Sequence, residues 1–446
     1  MMTYDVPKTI WEVGESLRFD EPLAFDDPRF VKTDAARGEQ FSYNALLRPL
    51  GIDSRNWEMK FEPKDRRYIL FCGHRGGGKS TELRRVSARL ADPARYFVVQ
   101  LDALKDLDIH NLQYTDVLLA LARALLADLQ KNAITIDRIF LENLENWFKE
   151  RIEKHEQTKQ FAAEIKTGVK AEGGIPWLAK LFAEINTAFR LNSTYKEELR
   201  KVVKNHFKEF AEGFNQLISA AETQIRKKNA GRKLLFVVDG TDRLNQKDSD
   251  RFFVSDAYQL QEIHGLFIYC APIHLIYEHG QINQIFPNIF KLPMIKLHEA
   301  EGQRLAEGYN TLSNMLYRRA APELFDNEAS VEKLIQASGG HPRDLLRLLN
   351  YAFGSAEGDY FDENAINLAI AQLATDYRRL LDKEDYQLLV EIDREPRRSH
   401  NAERSRTLLY NLSLLEYNSY WWNSHPVIRT LPSYQSALAE AHANET

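Results

Sequence analysis

The chain is 446 residues long, enough for two or three domains with a substantial buried core. Hydrophobic residues make up 44% and charged residues 28%, close to a soluble globular average, which excludes wholesale disorder and fibrous architectures. A formal net charge of −5 offers no chain-wide field for nucleic acid or an anionic membrane, and two cysteines exclude a disulfide scaffold or a four-cysteine zinc module and fit a reducing compartment.

The start, MMTYDVPKTIWEVGE, lacks a basic n-region and an apolar h-region, so it is not a signal peptide and a cytoplasmic location is expected. Residues 1–66 are polar and aromatic without a sustained period and read as an irregular arm. At Arg67–Cys72 the pattern becomes a short apolar run ending at glycine, the profile of a buried parallel strand.

That strand runs into Gly73-His-Arg-Gly-Gly-Gly-Lys-Ser-Thr81, which satisfies G-x-x-x-x-G-K-[ST] at every fixed position. Gly73, Gly76, Gly77 and Gly78 let the backbone turn and, with Arg75 between them, aim N–H groups at phosphate oxygens. Lys79 adds a point charge on the β/γ-phosphates, the Ser80 hydroxyl ligates Mg²⁺, and Thr81 continues into a helix whose positive end faces the anion. A bare glycine turn is the competing reading, and the strand–loop–helix context disfavours it.

Tyr96–Leu101, Lys233–Val238 and Leu266–Cys270 repeat the strand profile. Asp116–Leu129 carries Leu118, Leu121, Ala122, Leu125 and Leu129 on one helical face. Strands alternating with helices indicate a parallel, helix-covered sheet. The third strand ends in Asp239, a carboxylate placed to complete a magnesium shell; the alternative is a helix cap. Between the second and third strands, residues 139–229 read as a helical insertion, far longer than a single crossover. Residues 148–233 hold 18 Lys and Arg against 11 Asp and Glu, so a mildly basic insertion sits on an acidic body. Within it, Leu178, Leu181, Phe182, Ile185 and Phe189 share a helical face beside Trp177. That face packs within the insertion or meets a protomer or effector; Lys180 and Glu184 leave too weak a basic face for membrane insertion. The longest run free of Asp, Glu, Lys and Arg, Ile263–Tyr277, is too short to span a bilayer.

GHRGGGKST, LLFVVDGTDR and SGGHPRDLL (Ser338–Leu346) together resemble AAA+ and STAND-type P-loop ATPases, above all bacterial members with a hhhhDGxDR second motif. The resemblance covers residues 67–348 and, more loosely, the tail. It implies that Arg343 reaches the γ-phosphate from a helical lid and that Pro342 packs at the nucleotide. The departures are specific. AAA+ enzymes carry a water-polarising Glu after the magnesium Asp; here that position is Gly240, and Asp242 is the nearest substitute. The polar sensor expected after the next strand is replaced by Ala271-Pro272. Hydrolysis is expected to be slow, or complete only after a partner supplies a group, and slow turnover suits a switch better than a motor. Cys72 and Cys270 are expected to end adjacent central strands as buried hydrophobes without a redox role.

From residue 299 helical pattern dominates. In the tail, a helix around Lys383–Ile392, a basic turn (Arg394, Arg397, Arg398, His400), a helix Ala402–Leu415 and strands Glu416–Trp422 and Val427–Thr430 give the winged-helix order. Such a module reads DNA through its second helix; in STAND proteins it clamps the nucleotide domain. Leu408, Leu409, Leu412, Leu414 and Leu415 leave few polar groups for base edges.

The expected architecture is therefore α/β: an arm (1–66), a P-loop parallel sheet covered by helices (67–298), a helical lid (299–376) and a winged-helix-like domain (377–446). The expected activity is ATP hydrolysis with Mg²⁺. Lys79, Asp239, Asp242 and Arg343 act on the reaction, Gly73, Arg75 to Thr81 and Pro342 hold nucleotide, and Ser80 and Asp239 hold the metal. The resemblance implies a homo-oligomeric switch controlling a partner effector, in bacterial antiviral defence, away from membranes. Two alternatives stand beside it: a DNA-handling ATPase akin to initiators or transposition regulators, and a nucleotide-binding scaffold without turnover.

Overall fold

The structure is a computed structural model and describes residues 4–64, 66–152, 193–277, 281–398, 402–418 and 421–443. Five parallel strands, β1 (Arg67–Gly73), β2 (Tyr96–Asp102), β3 (Lys233–Asp239), β4 (Leu266–Pro272) and β5 (Asn288–Leu292), form one sheet in the order β2-β3-β4-β1-β5. The first four are the predicted strands. β5 escaped notice because NIFKL is short and interrupted by polar residues.

Alternation along β1 explains its two-sided burial. Tyr68, Leu70 and Cys72 face one apolar cluster, while Ile69 and Phe71 face another on the opposite side. Tyr68, Phe267 and Phe236 stack across three neighbouring strands with centroids 5.1 and 5.0 Å apart. Cys72 and Cys270 lie on adjacent strands, as expected. They point to opposite faces, each buried and unpaired.

The arm is more ordered than its sequence suggested. Helix α1 (Ile10–Ser16) starts with a capping box between Thr9 and Glu12, and Ile10 and Val13 pack into the lid cluster. Leu46, Leu47, Leu50 and Ile52 cover one face of the sheet together with Leu83, Val86 and Leu90 of α2 (Lys79–Leu90). The other face takes α3 (Tyr114–Lys131), whose Leu118, Leu121, Ala122, Leu125 and Leu129 are all buried as predicted. Of the insertion, helices α4 (Arg138–Ile152), α5 (Ser193–Asn205) and α6 (Phe207–Lys227) belong to that cluster, through Phe148, Val203, Phe210 and Phe214 among others. The buried Arg200 donates to Asp116 of α3, locking the insertion onto the core. The stretch carrying Trp177 to Phe189 lies outside the described residues.

Beyond the sheet come α7 (Ala306–Tyr317), α8 (Glu328–Ser338), α9 (Pro342–Ser355) and α10 (Glu363–Arg378), then α11 (Lys383–Arg394) and α12 (Glu403–Tyr410). An antiparallel hairpin, β6 (Leu414–Tyr417) and β7 (Trp421–Ser424), and α13 (Pro432–Ala443) follow. The helix–helix–hairpin order is present, but the strands differ from the sequence reading. α12 stops at Tyr410, and Leu412 takes a positive φ of 70°, which starts the hairpin earlier. Pro426 then opens a helical turn over Pro426–Arg429 where a strand was expected, a position proline favours. Lid and tail share one apolar cluster, in which Leu345 and Leu349 join Leu389, Leu409, Leu414, Trp422 and Ile428.

Candidate nucleotide site

Gly73, Asp102, Asp239, Pro272 and Leu292 end the five strands at one edge of the sheet, and the phosphate loop crosses that edge. Gly78, with φ of 98°, caps α2, so the amides of its first turn point at the loop cavity. Lys79 is buried, and its ammonium donates to the carbonyls of Gly73 and His74 at 2.9 and 2.8 Å and pairs with Asp242 at 2.7 Å. The Ser80 hydroxyl donates to Asp239 Oδ1 at 2.9 Å, and the Gly240 N–H donates to the same oxygen at 2.8 Å.

These contacts separate the two carboxylates. Burial, then the neighbouring Asp242, pushes the Asp239 carboxyl above its usual range. For Asp242 burial pushes upward too, but Lys79 outweighs it and holds the group below the usual range. Asp239 thus lacks a compensating cation. With the Ser80 hydroxyl it offers hard oxygen donors of the kind Mg²⁺ takes. Among the described residues, Asp239, Asp242 and Cys270 form the only cluster of His, Cys, Asp and Glu close enough to share an ion. The Cys270 thiol is driven well above its usual pKa by burial, and a neutral, soft sulfur is no magnesium ligand.

Asp242, expected as a substitute water-activating base, is instead the counter-ion of Lys79. Gly240 has φ of +85°, and a Cβ there would sit 3.0 Å from Leu104 Cγ. The missing Glu is thus built into the backbone. Sequence reasoning overlooked Asp102, which pairs in register with Asp239. The signal was available, since YFVVQLD of β2 ends as KLLFVVD of β3 does.

Three remote segments hold the loop. From the arm, the fully buried Arg37 donates to the Gly77 carbonyl at 3.0 Å, to Thr33 Oγ1 at 3.0 Å and to the Pro293 carbonyl. From the lid, His341 Nε2 meets the Arg75 carbonyl at 2.8 Å. A Cβ at Gly76 would lie 2.8 Å from that ring and 2.9 Å from Arg343 Cβ, so only glycine admits the lid this close. From the hairpin, the Glu416 N–H donates to His74 Nε2 at 2.8 Å. Burial, then His341 and Lys79, depress the His74 pKa well below normal, which keeps this nitrogen an acceptor. Lys291 of β5 and Tyr277 bond the Glu416 carboxylate, and Tyr417 donates to the Gly339 carbonyl at 2.6 Å.

Lid and tail meet again at Asp344, fully buried in the first turn of α9. Its carboxylate accepts from Arg347 at 2.9 Å and from the Tyr377 hydroxyl at 2.7 Å. It also lies 3.1 Å from His341 Nδ1 and 3.2 Å from His425 Nε2.

The loop floors an open cleft walled by the arm, the core and the lid. At its loop end are Lys79, Ser80, Thr81, Pro342 and Arg343, residues picked from sequence, joined by Arg243. Of Arg75 the backbone carbonyl is used, while the side chain stays exposed. The rest of the wall was not foreseen. Phe19, Leu23 and Val31 of the arm face Met315 and Leu346 of the lid. Leu23 N–H donates to Thr81 Oγ1 at 3.2 Å and Arg84 to the Pro22 carbonyl at 2.6 Å, which staples the arm to α2.

The loop-bearing strand, flanked on both sides, and the helix-covered parallel sheet make this a P-loop NTPase fold. No family model matches the chain, and no curated protein does so either. Among solved structures it is similar to a Walker-type ATPase of Pyrococcus abyssi, 12% identical over 92% of this chain and 98% of that one, with a TM-score of 0.42. It is also similar to Cdc6p of Pyrobaculum aerophilum, 11% identical over 92% and 99%, with a TM-score of 0.36. A third is the RuvB Holliday junction branch migration motor of Thermotoga maritima, 12% identical over 91% and 96%, with a TM-score of 0.35. The fold assignment rests on the strand order and the loop themselves. No helix among the described residues is long and apolar enough to cross a membrane.

Proposed function

We propose that the chain binds ATP with Mg²⁺ in this cleft, transfers its γ-phosphoryl group to water slowly, and works as a molecular switch. The observation that carries this reading is the triple hold on the phosphate loop by arm, lid and hairpin. A ligand seated on that loop acts on all three, and a ligand shifts an equilibrium only through such differential contacts. Loop amides and the start of α2 receive the phosphates. Lys79 leaves Asp242 for the β/γ-oxygens, and Phe19, Val31 and Leu346 enclose the apolar end of the nucleotide. Ser80 and Asp239 would hold Mg²⁺, which supplies charge neutralisation on the phosphates. Glycine at 240 leaves no carboxylate directly after Asp239, where AAA+ enzymes carry the water-polarising Glu, in keeping with slow turnover.

In the same reading the chain forms homo-oligomers and controls a partner effector, as in STAND-type defence ATPases; the three sequence motifs support that part. Several groups a DNA-handling role would draw on are already engaged. Arg397 bonds Glu301, Arg398 bonds Glu395, and Leu408 and Leu409 are buried. The test is ATP binding and phosphate release by wild type, Lys79→Ala and Asp239→Ala. The first variant is expected to lose most ATP affinity, and the second to keep some nucleotide and lose magnesium-dependent turnover. Hydrolysis unchanged in either variant refutes the site. For the switch, hydrogen exchange of β6 amides should respond to ATP; exchange identical with and without ATP refutes the coupling.

A further inference from the structure

Accounting for charge at the phosphate end of the cleft leaves two cations without partners. Lys79 is neutralised by Asp242 at 2.7 Å and has two carbonyls besides. Arg37, although buried, spends its guanidinium on the Thr33 hydroxyl and on carbonyls of the loop and of Pro293. Arg243 and Arg343 remain. Both line the cleft with Gly76, Gly78 and Ser80. Neither forms an ion pair or a side-chain hydrogen bond with any described residue, and the Nε of Arg343 is buried without a partner.

The two arrive from opposite walls. Arg343 is the second residue of α9, and the Gly76 contact pins its Cβ against the loop. Arg243 ends the turn Thr241–Arg243 that follows β3. That turn is fixed: the buried Thr241 hydroxyl bonds the Cys270 carbonyl, and the Arg243 N–H donates to the Gly240 carbonyl at 3.1 Å. Burial, then Arg243 and Arg75, lowers the Arg343 pKa, as expected of like charges facing each other across a half-buried gap. Unpaired guanidiniums in such a place call for an anion between them.

Resting on the nucleotide-binding reading above, we propose that Arg243 is a γ-phosphate-recognising residue. It grips that group from the core while Arg343 grips it from the lid, and so distinguishes a nucleoside triphosphate from a diphosphate. A diphosphate leaves the gap without its anion, so the two arginines hold lid and core apart. A triphosphate fills the gap and draws them together.

The experiment is equilibrium binding of ATP and of ADP, each with Mg²⁺, to the full chain and to Arg243→Ala, Arg243→Gln, Arg343→Ala and the Arg243→Ala/Arg343→Ala pair. Both Arg243 variants are expected to bind ATP ~10-fold or more weakly, the scale of one charge-assisted hydrogen bond. Their ADP affinity should stay within about threefold of wild type, and that retained binding shows that the variants are folded. The double variant should lose less ATP affinity than the product of the single losses, because both side chains hold one group. Equal losses for ATP and ADP, or no loss for ATP, overturn the assignment, as does full additivity in the pair. If wild type binds neither nucleotide, the nucleotide-binding reading itself fails, an outcome distinct from a failure of Arg243 alone.

Discussion

Replacing Asp344 with alanine tests whether the lid–tail junction is held by a single buried carboxylate. Asp344 is fully buried, and its oxygens serve Tyr377, Arg347, His341 and His425. Arg347 is not stranded by the loss, since it keeps Asp376 at 2.9 Å and Tyr351 at 3.1 Å. His341 keeps the Arg75 carbonyl. The buried Tyr377 hydroxyl loses its acceptor, which costs ~1–3 kcal/mol, and His425 loses the carboxylate 3.2 Å from its Nε2. The ion pair with Arg347 is lost as well, and removing one member of a buried charged pair typically costs ~3–5 kcal/mol. Asp344→Ala should therefore cost about 3–5 kcal/mol. Asp344→Asn, which still accepts from Tyr377, should cost less than half of that. Urea denaturation followed through the fluorescence of the buried Trp421 and Trp422 reports on this region. A cost below about 1 kcal/mol for alanine, or asparagine as harmful as alanine, would refute the reasoning.

Acid should destabilise the fold. Burial depresses the pKa of His74 and His425, and that of His274 from 6.5 to about 4. The unfolded chain takes up these protons as pH falls through about 6.5 while the folded chain does not. Stability is therefore complete above that value and declines by ~1.4 kcal/mol per pH unit per histidine, down to about pH 4 for His274. Thermal melts between pH 7.5 and pH 4.5 read this directly, and a flat profile contradicts it. Gly240→Glu, which places the glutamate of AAA+ enzymes after Asp239, should lower stability by about 1–2 kcal/mol through its left-handed backbone and leave ATP turnover no faster. Faster turnover in an equally stable variant would show that the backbone is not the obstacle. Arg37→Lys keeps the charge and loses the fork joining Thr33, Gly77 and Pro293. It should cost about 1.5–3 kcal/mol and weaken ATP binding, measured by melts and titration.

The sheet and the chemistry on it were legible because their signals are local. Four apolar runs ending in Gly, Asp or Cys mark β1 to β4, and the spacing Gly73 to Ser80 is diagnostic without any partner. The arm was illegible for the opposite reason. Phe19 and Val31 line the cleft and Arg37 holds the loop from outside any long helical or strand period, and nothing in their own neighbourhood marks them as cleft residues. The hairpin slipped because its register is set by Leu412 turning left-handed and by Glu416, a carboxylate buried in a strand where hydropathy places none. Its partners, Lys291 and Tyr277, stand more than a hundred positions away.

The bond between His74 and Glu416 spans 342 positions of sequence, and this separation has a consequence for synthesis. At ~5–20 residues per second, a ribosome needs roughly 20–70 seconds to travel from the phosphate loop to the hairpin that completes its surroundings. Throughout that interval the nascent chain displays a loop whose ring, His74, has no hairpin amide to accept from. Nucleotide reaching the emerging sheet meets a site open on the tail side, free to template the closure that follows. A premature stop between residues 347 and 416 releases a protein with all three sequence motifs intact and the hairpin hold missing, a loss that a search for motifs alone would never register.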